Sequence, residues 1–218
     1  TLRDGGYYNN WDFDNDLINQ YLQVLESINI DFCEIGFRFY KNNGFKGSCA
    51  FTTEEFLESL TIPKSIRIAI MINANELISN EELIIDRLKK LLPLKASKSK
   101  VDMVRVACHS EIIEKILPVF DFIHNQGYKS CCNITQISDK TTERLEELSC
   151  LISTSKVDIL YFADSLGSST PKSIQEIVKA LKKNWKGQLG IHAHNNTGLA
   201  LSNTLQAIEC GVKWVDST

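Results

Sequence analysis

The sequence predicts an α/β protein with the architecture of a (β/α)8 TIM barrel, and three observations support this prediction. Short apolar runs rich in β-branched residues alternate with longer stretches of helical period along all 218 residues. Strict alternation of this kind is typical of parallel strands joined by crossover helices. Eight strand positions can be counted, and no glycine-rich nucleotide-binding motif follows any of them, which favours a closed barrel over an open sheet.

Six of the eight predicted strands are clear apolar runs: residues 30–35, 66–72, 103–107, 129–134, 159–163 and 189–194. Residues 1–4 are interpreted as the tail of the first strand and residues 214–216 as the start of the eighth. Residue 1 would then already lie inside a strand, and no eighth helix would follow. We therefore expect one catalytic barrel domain over 1–218, truncated at both ends, from a longer protein.

The segments between these strands carry the marks of helices. An apolar stripe of helical spacing runs through residues 17–28. Thr52 with Glu55 is typical of a capping box. Pro171 suits the first position of a helix, and Gly211 suits the position that ends one.

Charge and cysteine content exclude several classes of protein. The formal net charge is −3 and no basic run is present, so the sequence does not predict binding to nucleic acid. No apolar run approaches the ~20 residues that span a bilayer, so we expect no membrane segment. The seven cysteines are odd in number and form no CxxC pair, which indicates reduced thiols and a cytoplasmic protein.

Two histidines at the end of the predicted seventh strand give the strongest functional indication. His192 and His194 are two residues apart, so on a strand their side chains point to the same face. In a barrel, functional residues lie at the C-terminal ends of the strands. The spacing therefore predicts a pair of metal ligands, although two histidines that merely fill a polar barrel end remain the alternative.

Charged residues on the first two predicted strands are candidate partners of this pair. Arg3 and Asp4 precede two glycines, a pattern that is also common in ordinary turns. The first and seventh strands of a closed barrel are separated by a single strand, so Asp4 could share one ion with the histidines. Glu34 lies in an apolar run where burial is costly without a partner, and Arg3 is the predicted partner. An outward-facing surface glutamate is the alternative.

One carboxylate and two imidazoles suit a divalent cation of hard or borderline character. Manganese is the first expectation, with magnesium, cobalt or zinc as alternatives. Such an ion would act as a Lewis acid on a carbonyl group.

These motifs, in this order, resemble the metal-dependent lyase barrel superfamily that includes hydroxymethylglutaryl-CoA lyase. Residues 1–5 match its first motif and residues 192–200 match its seventh-strand motif. Residues 104–109 resemble the fourth strand of 4-hydroxy-2-oxovalerate aldolases, and residues 163–167 resemble the sixth strand. The resemblance runs along the whole chain.

The resemblance implies a role for each matching residue. Asp4, His192 and His194 would be the metal ligands, Arg3 would stabilise an enolate oxygen, and Glu34 would orient Arg3. A 2-keto acid would be the substrate, and cleavage of its C3–C4 bond would give a pyruvate enolate and an aldehyde.

One position departs from the aldolase pattern. Those aldolases carry a histidine base two residues after the glycine of the first motif, where this chain has Tyr7. A phenol with a pKa near 10 is a poor base at neutral pH. Either Tyr7 acts only as a hydrogen-bond donor, or His109 or a metal-bound water takes the proton, and we favour the second alternative.

Other readings stay open at this stage. A Claisen-type synthase that joins acetyl-CoA to a 2-keto acid is the nearest alternative, and a barrel that keeps its metal without catalysis, as a scaffold, is the other. Arg38, which leads into a glycine-containing loop, could bind a distal anionic group of the substrate. A homo-oligomer and a partner dehydrogenase that consumes the aldehyde are also compatible with the resemblance.

Overall fold

The structure, a computed structural model, describes residues 2–78 and 84–217. Within these residues the strands form a seven-stranded sheet in chain order, β1 to β7. Their bounds are β1 Phe32–Phe37, β2 Arg67–Asn73, β3 Val101–Cys108, β4 Lys129–Ile134, β5 Ile159–Asp164, β6 Gln188–Ala193 and β7 Trp214–Val215. The parallel β/α order that the sequence predicts for the TIM-barrel class is confirmed, and β1 to β7 correspond to predicted strands two to eight.

Helices occupy most of the segments between these strands. Their bounds are α1 Leu2–Gly5, α2 Asn15–Ser27, α3 Glu54–Ser59, α4 Ala74–Leu77, α5 Ile84–Leu91, α6 Ile113–Asn125, α7 Thr142–Ile152, α8 Pro171–Asn184 and α9 Ala200–Glu209. None of the helices in the described ranges is both long enough and apolar enough to cross a membrane.

The predicted first strand is wrong. Residues 2–5 form the short helix α1, which continues into a 3-10 turn over Gly6–Tyr8. In a strand, the backbone N–H and C=O groups form hydrogen bonds with a neighbouring strand. In this short helical segment the backbone groups form their hydrogen bonds locally. The indole of Trp11 also donates a hydrogen bond of 2.9 Å to the carbonyl of Arg3, which holds the turn in place.

Most of the helix signals are confirmed, and one is displaced by a residue. Pro171 is the first residue of α8, and Gly211 adopts a φ of +82° just beyond α9. The N-cap of α3 is Thr53, whose side chain accepts from the amide of Phe56. Thr52 is wrong as the cap because it is fully buried, and its hydroxyl donates to the carbonyl of Cys49.

The chain divides into two compact units, which are described separately. The N-terminal unit comprises Thr1–Val106 and Phe122–Lys129, and the C-terminal unit comprises Ala107–Asp121 and Ser130–Ser217. In the N-terminal unit β1 and β2 pair in parallel. In the C-terminal unit β4 to β7 pair in parallel, and every residue of β5 is buried, as expected for a strand covered on both faces.

Candidate active site

The C-terminal unit brings two histidines together at the end of β6. His192 is a buried residue of this strand, and His194 follows it directly. Their Nε2 atoms lie 3.1 Å apart. The Nδ1 atom of His192 lies 2.8 Å from a carboxylate oxygen of Asp216, and the Nδ1 atom of His194 lies 3.1 Å from the carbonyl oxygen of Ser165.

These contacts determine which ring nitrogen carries the proton. A carboxylate and a carbonyl oxygen can only accept, so Nδ1 is the donor in both rings. In the neutral rings both Nε2 atoms then present lone pairs, and these lone pairs face each other. That arrangement is unfavourable unless a proton or a cation lies between the two atoms. Metal-binding histidines are held in this way, with the second ring nitrogen donating to an oxygen, so the pair fits a divalent cation.

The loop after β5 that supplies the Ser165 carbonyl is itself fixed by hydrogen bonds. Asp164, fully buried, accepts from the amides of Ser168 and Ser169. Side chains that follow β6 donate to the loop carbonyls: Asn196 to Leu166, Thr197 to Gly167 and Asn203 to Ser169. The Ser165 carbonyl that accepts from His194 therefore belongs to a loop whose backbone is fixed by several hydrogen bonds.

In the N-terminal unit, a partly buried network of charges surrounds Glu34. Arg3 donates from Nε to one carboxylate oxygen at 2.7 Å, and Arg105 Nη1 lies 3.4 Å from the other. Nη1 of Arg3 also contacts the carboxylate of Asp4. Burial alone lowers the pKa of Arg3, but Glu34 and Asp4 outweigh it and raise the pKa, so the guanidinium stays charged.

A bulge in β1 sets the position of Glu34. Glu34 is paired with Ala69 and Gly36 with Ile70, so Ile35 is an extra residue in the ladder. A Cβ atom on Gly36 would lie 1.8 Å from the carbonyl oxygen of Cys49, so glycine is required there. The bulge thus depends on a close backbone contact directly beside the charged network.

Tyr7 lies next to this network. Its ring packs edge to face on Trp11, with centroids 4.8 Å apart, and is 63% exposed. Partial removal of the phenol from water raises the pKa of Tyr7, and the carboxylates of Asp4 and Glu34 add to this against the opposing Arg3. The hydroxyl therefore stays protonated at neutral pH and can donate a hydrogen bond.

His109 follows β3 in the C-terminal unit. Its Nδ1 atom lies 3.0 Å from the hydroxyl oxygen of Thr135, and that hydroxyl is 3.3 Å from the carbonyl oxygen of Cys108. If the hydroxyl donates to the carbonyl, it accepts from Nδ1 of His109, which leaves Nε2 of His109 basic.

Arg38 does not fit the role of an anion-binding residue. Its Nε and Nη1 atoms donate to the carbonyls of Thr52 and Leu91, each at 2.9 Å. Its Nη2 atom donates to Glu54 at 2.7 Å. All three nitrogens are used inside the N-terminal unit, so Arg38 is a structural residue.

The predicted site residues thus form two groups, one in each unit. Arg3, Asp4, Tyr7 and Glu34 lie in the N-terminal unit, and His109, His192 and His194 lie in the C-terminal unit. In residues 2–78 and 84–217, no cluster of three or more His, Cys, Asp or Glu side chains is arranged to hold a metal ion. The metal ligands that the sequence predicts therefore stay a prediction.

Sequence reasoning missed two residues of these groups, Arg105 and Asp216. Arg105 is a charged residue in the middle of the apolar run of β3, which is the same signal that identified Glu34. Asp216 follows β7, and its amide donates to the carbonyl of Ile191 in β6, which brings its carboxylate to His192.

A family model described as HMGL-like matches residues 1–218. Among curated proteins, the chain is 26% identical over 225 residues to a 4-hydroxy-2-oxovalerate aldolase of Geobacillus thermodenitrificans, which covers 100% of this chain and 61% of the relative. It is 25% identical over 218 residues to a probable 2-isopropylmalate synthase of Archaeoglobus fulgidus, which covers 100% of this chain and 42% of that protein. The chain therefore spans less than two thirds of the length of these relatives.

Solved structures show the same fold. The N-terminal domain of a Bacteroides vulgatus protein, provisionally described as an aldolase, superimposes with a TM-score of 0.82 at 28% identity, covering 100% of this chain and 70% of that one. The HMG-CoA lyase of Brucella melitensis superimposes with a TM-score of 0.69 at 15% identity, covering 94% of this chain and 72% of that one. At the latter identity the likeness concerns the fold alone.

Proposed function

This chain belongs to the HMGL-like family, and from that premise we propose that it is a divalent-metal-dependent carbon–carbon lyase. The proposed reaction cleaves, or in reverse forms, the C3–C4 bond of a 4-hydroxy-2-keto acid. The observation that carries the proposal is the pair of Nε2 atoms of His192 and His194, 3.1 Å apart, with both Nδ1 atoms held by oxygen acceptors.

The proposed ligands of the cation are the two Nε2 atoms and the carboxylate of Asp4. The hydrogen bonds of the two histidines support their assignment as ligands. The assignment of Asp4 rests on its place in the Arg-Asp-Gly motif. When bound, a divalent cation would supply Lewis-acid polarisation of the keto oxygen. Manganese is the first candidate, because a mixed oxygen and nitrogen ligand set suits it, and magnesium, cobalt or zinc are alternatives.

Arg3 is the proposed donor to the enolate oxygen. Its guanidinium stays charged, and two of its nitrogens are fixed by Glu34 and Asp4. A donor that is already oriented stabilises developing negative charge without reorganising during the reaction. Glu34 and Arg105 would act through Arg3 as positioning residues.

Proton transfer is assigned to two side chains. We infer that Nε2 of His109 takes the proton from the C4 hydroxyl, because its Nδ1 atom is engaged by Thr135. Tyr7 would act as a hydrogen-bond donor, because its raised pKa keeps the phenol protonated. Breaking the C3–C4 bond then leaves the electron pair on the enolate and releases the aldehyde.

Exchange of the methyl protons of pyruvate with deuterium, followed by NMR, tests this proposal. Pyruvate should exchange in the presence of manganese, exchange should stop on chelation and return with the metal, and 4-hydroxy-2-oxovalerate should yield pyruvate. Acetyl-CoA with a 2-keto acid serves as the competing assay. Thiol release there without pyruvate exchange would favour a Claisen synthase, and no turnover in either assay would favour a non-catalytic barrel.

A further inference from the structure

Four aromatic rings form a continuous cluster in the N-terminal unit beside Arg3. Phe37 and Phe39 are stacked with centroids 4.4 Å apart, and Trp11 packs edge to face on both. Tyr7 packs on Trp11 and Phe37, and the guanidinium carbon of Arg3 lies 6.0 Å from the centroid of Phe37. The cluster is thus continuous from the charged network to the protein surface.

Within the cluster, the supporting rings are buried and the outermost ring is accessible. Trp11 is 6% exposed and Phe37 is 3% exposed, whereas Tyr7 is 63% exposed. The ring of Tyr7 therefore packs on two buried rings, while the residue as a whole is largely exposed to solvent. A rigid aromatic ring supported in this way binds apolar groups with little loss of conformational entropy.

The charged groups around the cluster are engaged with other groups of the chain. Arg38 follows Phe37 in the sequence, and its guanidinium donates hydrogen bonds to Thr52, Leu91 and Glu54. The ammonium of Lys46 lies 4.9 Å from the centroid of Phe39, where it makes a cation–π contact. The carboxylate of Asp4 is paired with Arg3, and its effect on the pKa of Tyr7 is opposed by that guanidinium.

We propose that this cluster binds the aldehyde half of the substrate and selects uncharged aldehydes that carry an aromatic substituent. The inference rests on the proposed function, since it assumes that Arg3 holds the enolate oxygen. Reacting carbons approach to ~3–3.5 Å in a productive complex. The aldehyde substituent therefore lies near Arg3, and Tyr7 is the exposed ring that packs on Phe37, the ring beside Arg3.

The test is aldol addition of pyruvate to three aldehydes by the manganese-loaded full chain: benzaldehyde, acetaldehyde and succinic semialdehyde. We expect kcat/KM for benzaldehyde to exceed the values for the other two by about tenfold or more, as one favourable ring contact would give. Proton exchange of pyruvate without any aldehyde is measured in parallel, because it requires the enolate and not the aldehyde site.

Two substitutions separate the ring of Tyr7 from its hydroxyl. Tyr7→Phe should lower the rate with every aldehyde but keep the preference for benzaldehyde. Tyr7→Leu should reduce that preference about five- to tenfold. The matched control is Tyr8→Leu, since Tyr8 is 97% exposed and its ring lies outside the cluster, and it should leave the preference unchanged.

The outcomes distinguish the inference from the proposed function. Exchange without a preference for benzaldehyde, or a preference that survives in Tyr7→Leu, overturns the inference alone. Preference for succinic semialdehyde overturns it in favour of an anionic substrate bound by Lys46. If the folded, metal-loaded wild type does not exchange the methyl protons of pyruvate, the proposed function and the inference are both overturned.

Discussion

Arg3 and Arg38 are both buried arginines of the N-terminal unit, and they differ in what their nitrogens contact. Arg38 donates from three nitrogens to two carbonyls and one carboxylate. Arg3 uses Nε and Nη1 on two carboxylates, Glu34 and Asp4. Arg38 therefore connects three segments of the chain, whereas Arg3 is oriented by the carboxylates of Glu34 and Asp4. The contacts of a buried arginine, and not its burial, indicate whether it stabilises the fold or serves a site.

The largest effect that this comparison predicts is on stability at Arg38. Arg38→Met removes the donor to the carbonyls of Thr52 and Leu91 and breaks the ion pair with Glu54, so the free energy of unfolding should fall by about 3–5 kcal/mol. Denaturant titration measures the loss. Activity per folded molecule should be retained. A lower kcat in fully folded Arg38→Met would show that Arg38 also serves the site and would contradict the distinction between the two arginines.

The reverse pattern is expected at Arg3. Arg3→Lys keeps the charge but loses the planar donor geometry, so kcat for aldol cleavage should fall about 10²–10³-fold, as for loss of an oxyanion donor. The melting temperature should change little, because Lys can still pair with Glu34. A variant that unfolds at low temperature but turns over normally once folded would show that Arg3 is structural.

Asp216 extends the comparison to the C-terminal unit, because it orients His192 as Glu34 orients Arg3. Asp216→Asn should weaken Mn²⁺ binding about 10–100-fold, as expected for loss of the carboxylate behind a ligating imidazole. Isothermal titration calorimetry gives the affinity. Asp158→Asn is the matched control, since the Asp158 carboxylate contacts Ser130 in the same unit and should not affect the metal. Equal affinity in both variants would remove Asp216 from the site.

The smallest expected effect is the coupling between Glu34 and Arg3. Glu34→Gln alone should lower kcat/KM. In the Glu34→Gln background, Arg3→Lys should lower kcat/KM by less than it does in the wild type, with an interaction energy of about 1–3 kcal/mol. A double-mutant cycle on kcat/KM measures it. Strict additivity would mean that Glu34 acts on catalysis independently of Arg3.

Much of the fold follows from sequence periodicity, and the misses have physical causes. The run at residues 129–134 matches β4 residue for residue, because a short apolar run bounded by polar residues has few alternative placements. Thr52 and Thr53 are adjacent threonines with equal capping chemistry, so only the burial of Thr52 decides between them. The helix at residues 2–5 depends on Trp11, a contact that strand periodicity does not encode.

Some contacts among the candidate site residues were predictable from the sequence. His192 and His194 combine metal-binding chemistry with a strand end, and Arg3 meets Glu34 as expected. Asp216 was not assigned, because its role depends on the register between β6 and β7. Arg105 was not assigned, because sequence alone gives no partner for a second guanidinium beside Glu34.

Binding of Mn²⁺ to the metal-free full chain, measured by calorimetry beside its His192→Ala and His124→Ala variants, tests the central claim most directly. His124 is an exposed residue of α6 and serves as the control histidine. We expect the wild type and His124→Ala to bind one equivalent and folded His192→Ala to bind none. Undiminished binding by His192→Ala, with its circular dichroism spectrum unchanged, would contradict the assignment of the histidine pair as the metal-binding element.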